Sequence, residues 1–389
     1  MPLDAGRDLR RLPDAVPLDL VRRVLVVNLR HHGDVLLCSP LLTVLKNHVP
    51  ECEVDALVYA DTAPMLSLHP ALAQLHRIDR GWKGLGPLAQ LRSEWRLLSS
   101  LRARRYDLLI ALTPHRRAQW LARLLKPRWS VAPQHAGGGK SWKRSFTHLV
   151  ARPIATWRHT VECYLDALRR IGCQPSPHER SLCLVPGAEA EGRILEMLAE
   201  HRLKERGYIH VHPGSRWQFK CWPAAKVAEL IDRLHALGWT SVLTAAPDAA
   251  EAAMIAQIRA AVHVPVVDLS GRLTLKELAA LSARARLFVG VDSAPMHIAA
   301  AVDTPLVALF GPSGARQWGP WHVRAQVVAD ERHQCVPCGR DGCAGSKRSE
   351  CLESLPVARV MEAVQLLLDD QATPPPAWIA HLDGEDLRA

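Results

Sequence analysis

Arg286-Leu-Phe-Val-Gly-Val-Asp292-Ser-Ala-Pro-Met-His297, running on to Val307-Ala-Leu-Phe-Gly311-Pro312, decides the fold. It reads as a short apolar run, a polar turn, a helix of small residues and a second apolar run. Runs this short and rich in Val suit strands buried on both faces of a parallel sheet. Asp292, Ser293 and His297 stand in the turn, where a buried core would not choose polar groups. A turn between a parallel strand and a helix is where an α/β sheet takes its ligand.

Outward from this stretch the same alternation recurs. Towards the N-terminus, Tyr208–His212 reads as a strand ending in Pro213-Gly214-Ser215-Arg216, and Lys220-Cys-Trp-Pro223 opens a helix Ala224–Leu237. Strands at Thr240–Ala245 and Pro265–Leu269 follow, with helices to Ala261 and over Leu273–Ala283. The first half shows strands at Val24–Leu29, Val54–Tyr59 and Asp107–Leu112, with helical segments at Leu88–Arg104 and His159–Arg170. After the first strand, Arg30-His31-His32-Gly33-Asp34 leads into one helix through Lys46, with Asp34 where a helix cap belongs. Alternation of this kind predicts α/β domains with parallel sheets, here two Rossmann-like domains facing a central cleft. From Trp129 to Arg158 the pattern breaks, and Gly137-Gly-Gly-Lys140-Ser141-Trp142-Lys143-Arg144 reads as a mobile basic loop. It imitates a phosphate-binding P-loop, but Gln134 stands where the first glycine belongs.

The 389 residues suffice for two domains. No apolar run approaches the roughly 20 residues needed to span a bilayer, and the N-terminus lacks a signal-peptide core, so a cytoplasmic protein is expected. A formal charge of +10 points to an anionic partner: a phosphorylated substrate, an anionic membrane face or nucleic acid. The alternative is a basic surface with no partner. Neither half carries G-x-G-x-x-G after its first strand, which disfavours a dinucleotide-linked dehydrogenase. No Asp-x-Asp occurs, so Lys220 and Arg216 are the candidates for neutralising a leaving phosphate. Asp34 is the candidate general base. Cys335, Cys338, Cys343 and Cys351 offer four thiolates, although the second pair departs from the spacing of a zinc ribbon.

Taken together, Gly33-Asp34-Val-Leu-Leu with Pro40 and Lys46, His212-Pro-Gly-Ser215-Arg216, Lys220-Cys-Trp-Pro223, Pro247-Asp248 with Glu251, Leu269-Ser-Gly271, Asp292-Ser293 with His297, and Leu309-Phe-Gly311-Pro312 resemble the ADP-heptose:lipopolysaccharide heptosyltransferases of glycosyltransferase family 9. The Arg30–Asp34 version looks most like the heptosyltransferase III branch. One departure is Ala294, where glycine is commoner. The resemblance implies a GT-B fold and an inverting, metal-independent transfer of heptose from ADP-heptose, without cofactor, to the lipopolysaccharide inner core, as the third heptose onto the second. Carried onto this chain it makes Asp34 the base. Ser215, Arg216, Lys220, Asp248, Glu251, Asp292, Ser293, Met296 and His297 become donor contacts. Arg30, His31, His32, Lys140, Lys143 and Arg144 are read as acceptor contacts.

The expected organisation is a flexible leader at 1–20, an acceptor-binding domain at 21–180 and a nucleotide-sugar domain at 187–355. A helix at 356–370 and a disordered tail at 371–389 complete it. Work at the cytoplasmic face of the inner membrane, by peripheral contact and without nucleic acid, is expected. The rival readings are another family-9 transferase with a different sugar or acceptor, and a basic lipid- or nucleic-acid-binding module.

Overall fold

The computed structural model describes residues 14–151 and 158–369. The chain divides between Ser181 and Leu182 into two units. In the first, strands β1 (Arg23–Val27), β2 (Glu53–Tyr59), β3 (Leu72–Ile78), β4 (Leu108–Ala111), β5 (Trp129–Pro133) and β6 (His148–Val150) pair in parallel in the order β3-β2-β1-β4-β5-β6. The second unit contains β7 (Tyr208–His212), β8 (Thr240–Leu243), β9 (Val267–Asp268), β10 (Leu287–Val291), β11 (Leu306–Leu309) and β12 (Ala325–Val328). Its order, β12-β11-β10-β7-β8-β9, has the same connectivity read from the other edge. Each sheet reverses its winding at one place: between β1 and β4 in the first, between β7 and β10 in the second. Such a switch point opens a crevice at the carboxyl ends of the strands.

The central strands are buried because helices cover both faces. All five residues of β7 and of β10 are buried. Helix Ala224–Ala236 turns Val227, Leu230, Ile231 and Leu234 inward, the i, i+3, i+4, i+7 stripe of an amphipathic helix. Each such side chain contributes roughly 1.5–3 kcal/mol by leaving water. Helix Val357–Asp369 packs Val360, Val364 and Leu367 into that same core, so the expected C-terminal helix is part of the second unit and not an appendage.

Several expectations are corrected. The leader is held from Asp14 onward: Asp14 pairs with Arg170 at 2.6 Å, and the Val16 amide donates to the Ile171 carbonyl at 3.1 Å. The expected tail at 371–389, like residues 1–13, lies outside the described residues. The irregular stretch after Trp129 contains β5, β6 and the short helix Gly139–Lys143. That helix is anchored by Trp142, which is buried, donates from its indole to the Pro133 carbonyl at 3.0 Å and packs on Phe146. Gly138 is required beneath it, since an added Cβ would lie 2.5 Å from the Trp142 Cβ. Strand β3 and helix Arg116–Leu125 also escaped the reading. β3 is an edge strand of mixed polarity, and the helix leaves a wide face to solvent, so neither shows an uninterrupted apolar run. Among the described residues no helix is long and apolar enough to cross a membrane.

Candidate functional site

Asp34 follows β1, the strand at the switch point of its sheet. The expected single helix is two, His32–Leu36 and Ser39–His48, and Asp34 is the third residue of the former. It is therefore not the cap: the residue with extended φ/ψ at the helix entrance is His31. A carboxylate in a first turn is still favoured by the helix dipole. Arg30 Nε lies 3.3 Å from Asp34 Oδ1, and the Tyr164 hydroxyl donates to the same oxygen at 3.5 Å. Asn28 Nδ2 donates to the Asp34 carbonyl at 3.0 Å, holding the turn against the strand end. Burial, and then the Asp34 charge, push the Tyr164 phenol well above its ordinary pKa, so it stays a donor to the carboxylate. His32 reaches the Asp61 carbonyl at 3.0 Å, and Arg80 pairs with the Asp61 carboxylate while its Nη2 donates to the Arg30 carbonyl at 3.4 Å. These contacts fix the 30–34 turn. His32 is thereby committed to the scaffold in this conformation. Lys140, Lys143 and Arg144 are exposed on their short helix and at its end.

The second unit builds its crevice from the turns after β7, β8 and β10. Lys220, in the turn after β7, places Nζ 2.5 Å from Oδ2 of Asp292, which follows β10. The pair bridges the two strands that flank the switch point. Ser215 is buried and its hydroxyl accepts from the Trp217 amide at 3.3 Å. Arg216 is exposed, its guanidinium 5.5 Å from the Trp217 ring centre. Ser293 precedes helix Ala294–Ala301 and donates to the Val291 carbonyl at 3.3 Å. Met296 has no exposed surface and His297 almost none, so their side chains pack inward.

Glu251 and Asp248 divide their work. Asp248 caps helix Ala249–Ala261, accepting from the Ala250 and Glu251 amides at 2.9 and 3.0 Å. Glu251 is buried; burial raises its pKa from the ordinary value, and its Oε2 accepts from the Ala246 amide at 2.7 Å. A Cβ on Gly214 would sit 2.4 Å from that same oxygen, so glycine lets the β7 turn pass over the carboxyl group. Beneath lie His210 and His212, both within 2.8 Å of the Thr244 hydroxyl oxygen. Burial lowers His212 to about 4 and holds His210 well below its ordinary value. His212 Nε2 is 3.8 Å from Glu251 Oε2, but burial holds the His212 imidazole neutral down to about pH 4, so near neutral pH the contact is not a formed ion pair.

Tyr164, Asn28 and Thr244 were not singled out from sequence. Tyr164 lies 130 residues from Asp34 and carries no local signal. Trp222 is buried, and its indole donates to the Leu355 carbonyl at 3.2 Å.

Cys335, Cys338, Cys343 and Cys351 lie in one neighbourhood of the second unit. Among the described residues no three His, Cys, Asp or Glu side chains are arranged to hold an ion. Cys335 is exposed while Cys351 is buried on helix Glu350–Glu353, its thiol pushed up to about 11 by burial and next by Cys343, Cys338 and Cys335. The thiols are neighbours without converging on one point.

Two parallel-sheet Rossmann-like domains with polar turns at their switch points are the architecture of the GT-B fold. The chain belongs to glycosyltransferase family 9 (heptosyltransferase), whose sequence pattern matches residues 94–348. It is 35% identical over 349 residues to lipopolysaccharide heptosyltransferase 3 of Escherichia coli, covering 89% of this chain and 99% of that one. Among solved structures it is similar to a family 9 glycosyl transferase from Veillonella parvula, with TM-score 0.79, 23% identity and coverage of 92% of this chain and 100% of the other. It is also similar to E. coli ADP-heptose lps heptosyltransferase II, with TM-score 0.70, 22% identity and coverage of 90% and 100%. The protein is thus an enzyme, and the pure binding module is set aside.

Proposed function

We propose that the chain transfers heptose from ADP-heptose to a hydroxyl of the second heptose in the lipopolysaccharide inner core, with inversion and without a metal. The observation that carries the chemistry is the placement of Asp34 after the switch-point strand of one sheet and of the Lys220–Asp292 pair across the switch point of the other. The identity to heptosyltransferase 3 along nearly its whole length supports the choice of sugar and acceptor.

In this reading Asp34 accepts the proton of the acceptor hydroxyl, whose oxygen bonds to the anomeric carbon of the heptose. The bond from that carbon to the β-phosphate oxygen breaks on the opposite face, and its electrons leave with ADP. Tyr164 and Arg30 orient the carboxylate. Lys220 and Arg216 meet the charge that develops on the diphosphate. The diphosphate competes with Asp292 for Lys220, and Asp292, once released, is free to accept from sugar hydroxyls. Ser215, Ser293, Asp248 and Glu251 shape the remaining donor contacts. His31, Lys140, Lys143 and Arg144 face the phosphorylated acceptor. The enzyme works peripherally on the cytoplasmic face of the inner membrane.

The test is to incubate the purified chain with ADP-heptose and lipopolysaccharide ending at the second heptose, and to weigh the product by mass spectrometry. A gain of one heptose is expected, inhibited by ADP more strongly than by UDP or GDP. If the acceptor stays unmodified while another sugar nucleotide is consumed, the chain is a family-9 transferase of different specificity.

A further inference from the structure

The helices Pro87–Arg104 and Arg116–Leu125 leave a face that the transferase chemistry does not use. Leu88, Leu91 and Trp95 recur at three- and four-residue spacing along the first helix and are 84%, 65% and 62% exposed. Trp120 and Leu124, one turn apart on the second, are 58% and 41% exposed. Between the helices runs an apolar groove walled by Leu98, Leu121 and the same tryptophans. Large side chains exposed singly need no explanation, but a contiguous apolar patch on an otherwise polar surface marks an interaction site.

The charge around the patch narrows the partner. From Leu85 to Arg128 ten lysines and arginines stand against two acids, Glu94 and Asp107. Both acids are already engaged: Glu94 in a two-pronged pair with Arg117 that ties the helices together, Asp107 by the amides of Arg22 and Arg23. Arg92, Arg96 and Arg116 are exposed beside the apolar stripe. The basic helix Gly139–Lys143 is joined to the same side, since Gln119 donates to the Ser141 hydroxyl at 2.9 Å and Arg123 to the Ser145 hydroxyl at 2.8 Å. Tryptophan and leucine between arginines are the chemistry of a helix lying in a lipid headgroup layer, with rings at the boundary and guanidinium groups on phosphates.

We propose that this face docks the enzyme on an anionic phospholipid bilayer, with Leu88, Leu91, Trp95, Trp120 and Leu124 entering the headgroup region and Arg92, Arg96 and Arg116 pairing with lipid phosphates. It gives the peripheral location proposed above a specific surface, and it is measured without donor or acceptor, so either reading can fail alone.

The experiment is flotation of the full chain with vesicles of phosphatidylethanolamine and phosphatidylglycerol, against phosphatidylcholine alone. The wild type is expected to float with the anionic vesicles, and less in high salt. R92Q/R96Q should lower partitioning by roughly fivefold per arginine. W95E/W120E should abolish it at any salt, and Leu88→Glu, at so exposed a position that folding is undisturbed, should weaken it severalfold. ADP binding should be unchanged in all of them. Equal flotation on neutral and anionic lipid, or variants that float like the wild type, would overturn the proposal. So would a dimer, seen by light scattering, that W95E/W120E dissociates while vesicle binding is unaffected, because a second copy would then be the occupant.

Discussion

Lys220 and Asp292, 72 residues apart, meet at 2.5 Å across the switch point of the second sheet. β7 and β10 are neighbours in that sheet, so the turns after them converge whatever their separation in the chain. Removing one partner leaves the other enclosed without its counter-charge, a larger loss than the pair itself is worth. Lys220→Met and Asp292→Asn should therefore each destabilise, while the double variant recovers part of the loss. Denaturant unfolding of the four proteins should give a coupling of about 2 kcal/mol. Additive single losses would mean that the contact is a solvated one. With substrate, Lys220→Met should also weaken the donor and slow turnover.

Asp34→Asn should lower turnover by roughly 10²–10⁴, the range for loss of a general base, while ADP-heptose binding measured by calorimetry persists. Tyr164→Phe keeps the ring and removes only the hydroxyl at 3.5 Å, so its effect should be much smaller and confined to kcat. An asparagine variant with normal turnover would remove Asp34 from the chemistry.

Gly214→Ala should disrupt the β7 turn because its Cβ would collide with the Glu251 carboxyl group at 2.4 Å. Loss of donor affinity is expected, with a lowered melting temperature. Glu251→Ala removes the colliding atoms, so the double variant should be more stable than Gly214→Ala alone. No suppression would mean the alanine acts on the backbone itself.

The buried histidines make stability depend on pH. His212 titrates at about 4 in the folded chain, below its ordinary 6.5, so the unfolded chain binds the extra proton first. Its contribution is complete above pH 6.5 and is lost as pH falls towards 4, by about 3 kcal/mol in all. Glu251, raised by burial, works in the opposite sense: its contribution is present at low pH and is lost as pH rises through its folded value. Unfolding free energies measured between pH 7 and 4.5 should fall more steeply for the wild type than for His212→Gln. Parallel curves would mean that His212 is not what senses the proton.

Much of this protein was legible in its amino-acid order. Short Val-rich runs flanked by polar turns announce strands covered on both faces, because only such strands can do without alternation. The turns at 33–34, 214–220 and 292–293 stood out for the same reason: carboxylates, hydroxyls and a lysine sit where an apolar sheet must stop. Strand β6, three residues long, and the edge strand β3 stayed hidden because half-solvated or very short elements leave little pattern. The buried role of Trp142 stayed hidden because the basic residues on either side of it describe the helix's outer surface. What tertiary structure alone decided is partnership. That Tyr164 faces Asp34, that Lys220 is clasped by Asp292 and that Gly214 must ride over Glu251 follow from strand order and helix crossing, which bring distant segments within ångströms. Residue type announces what a group is able to do, while packing chooses which neighbour it does it with.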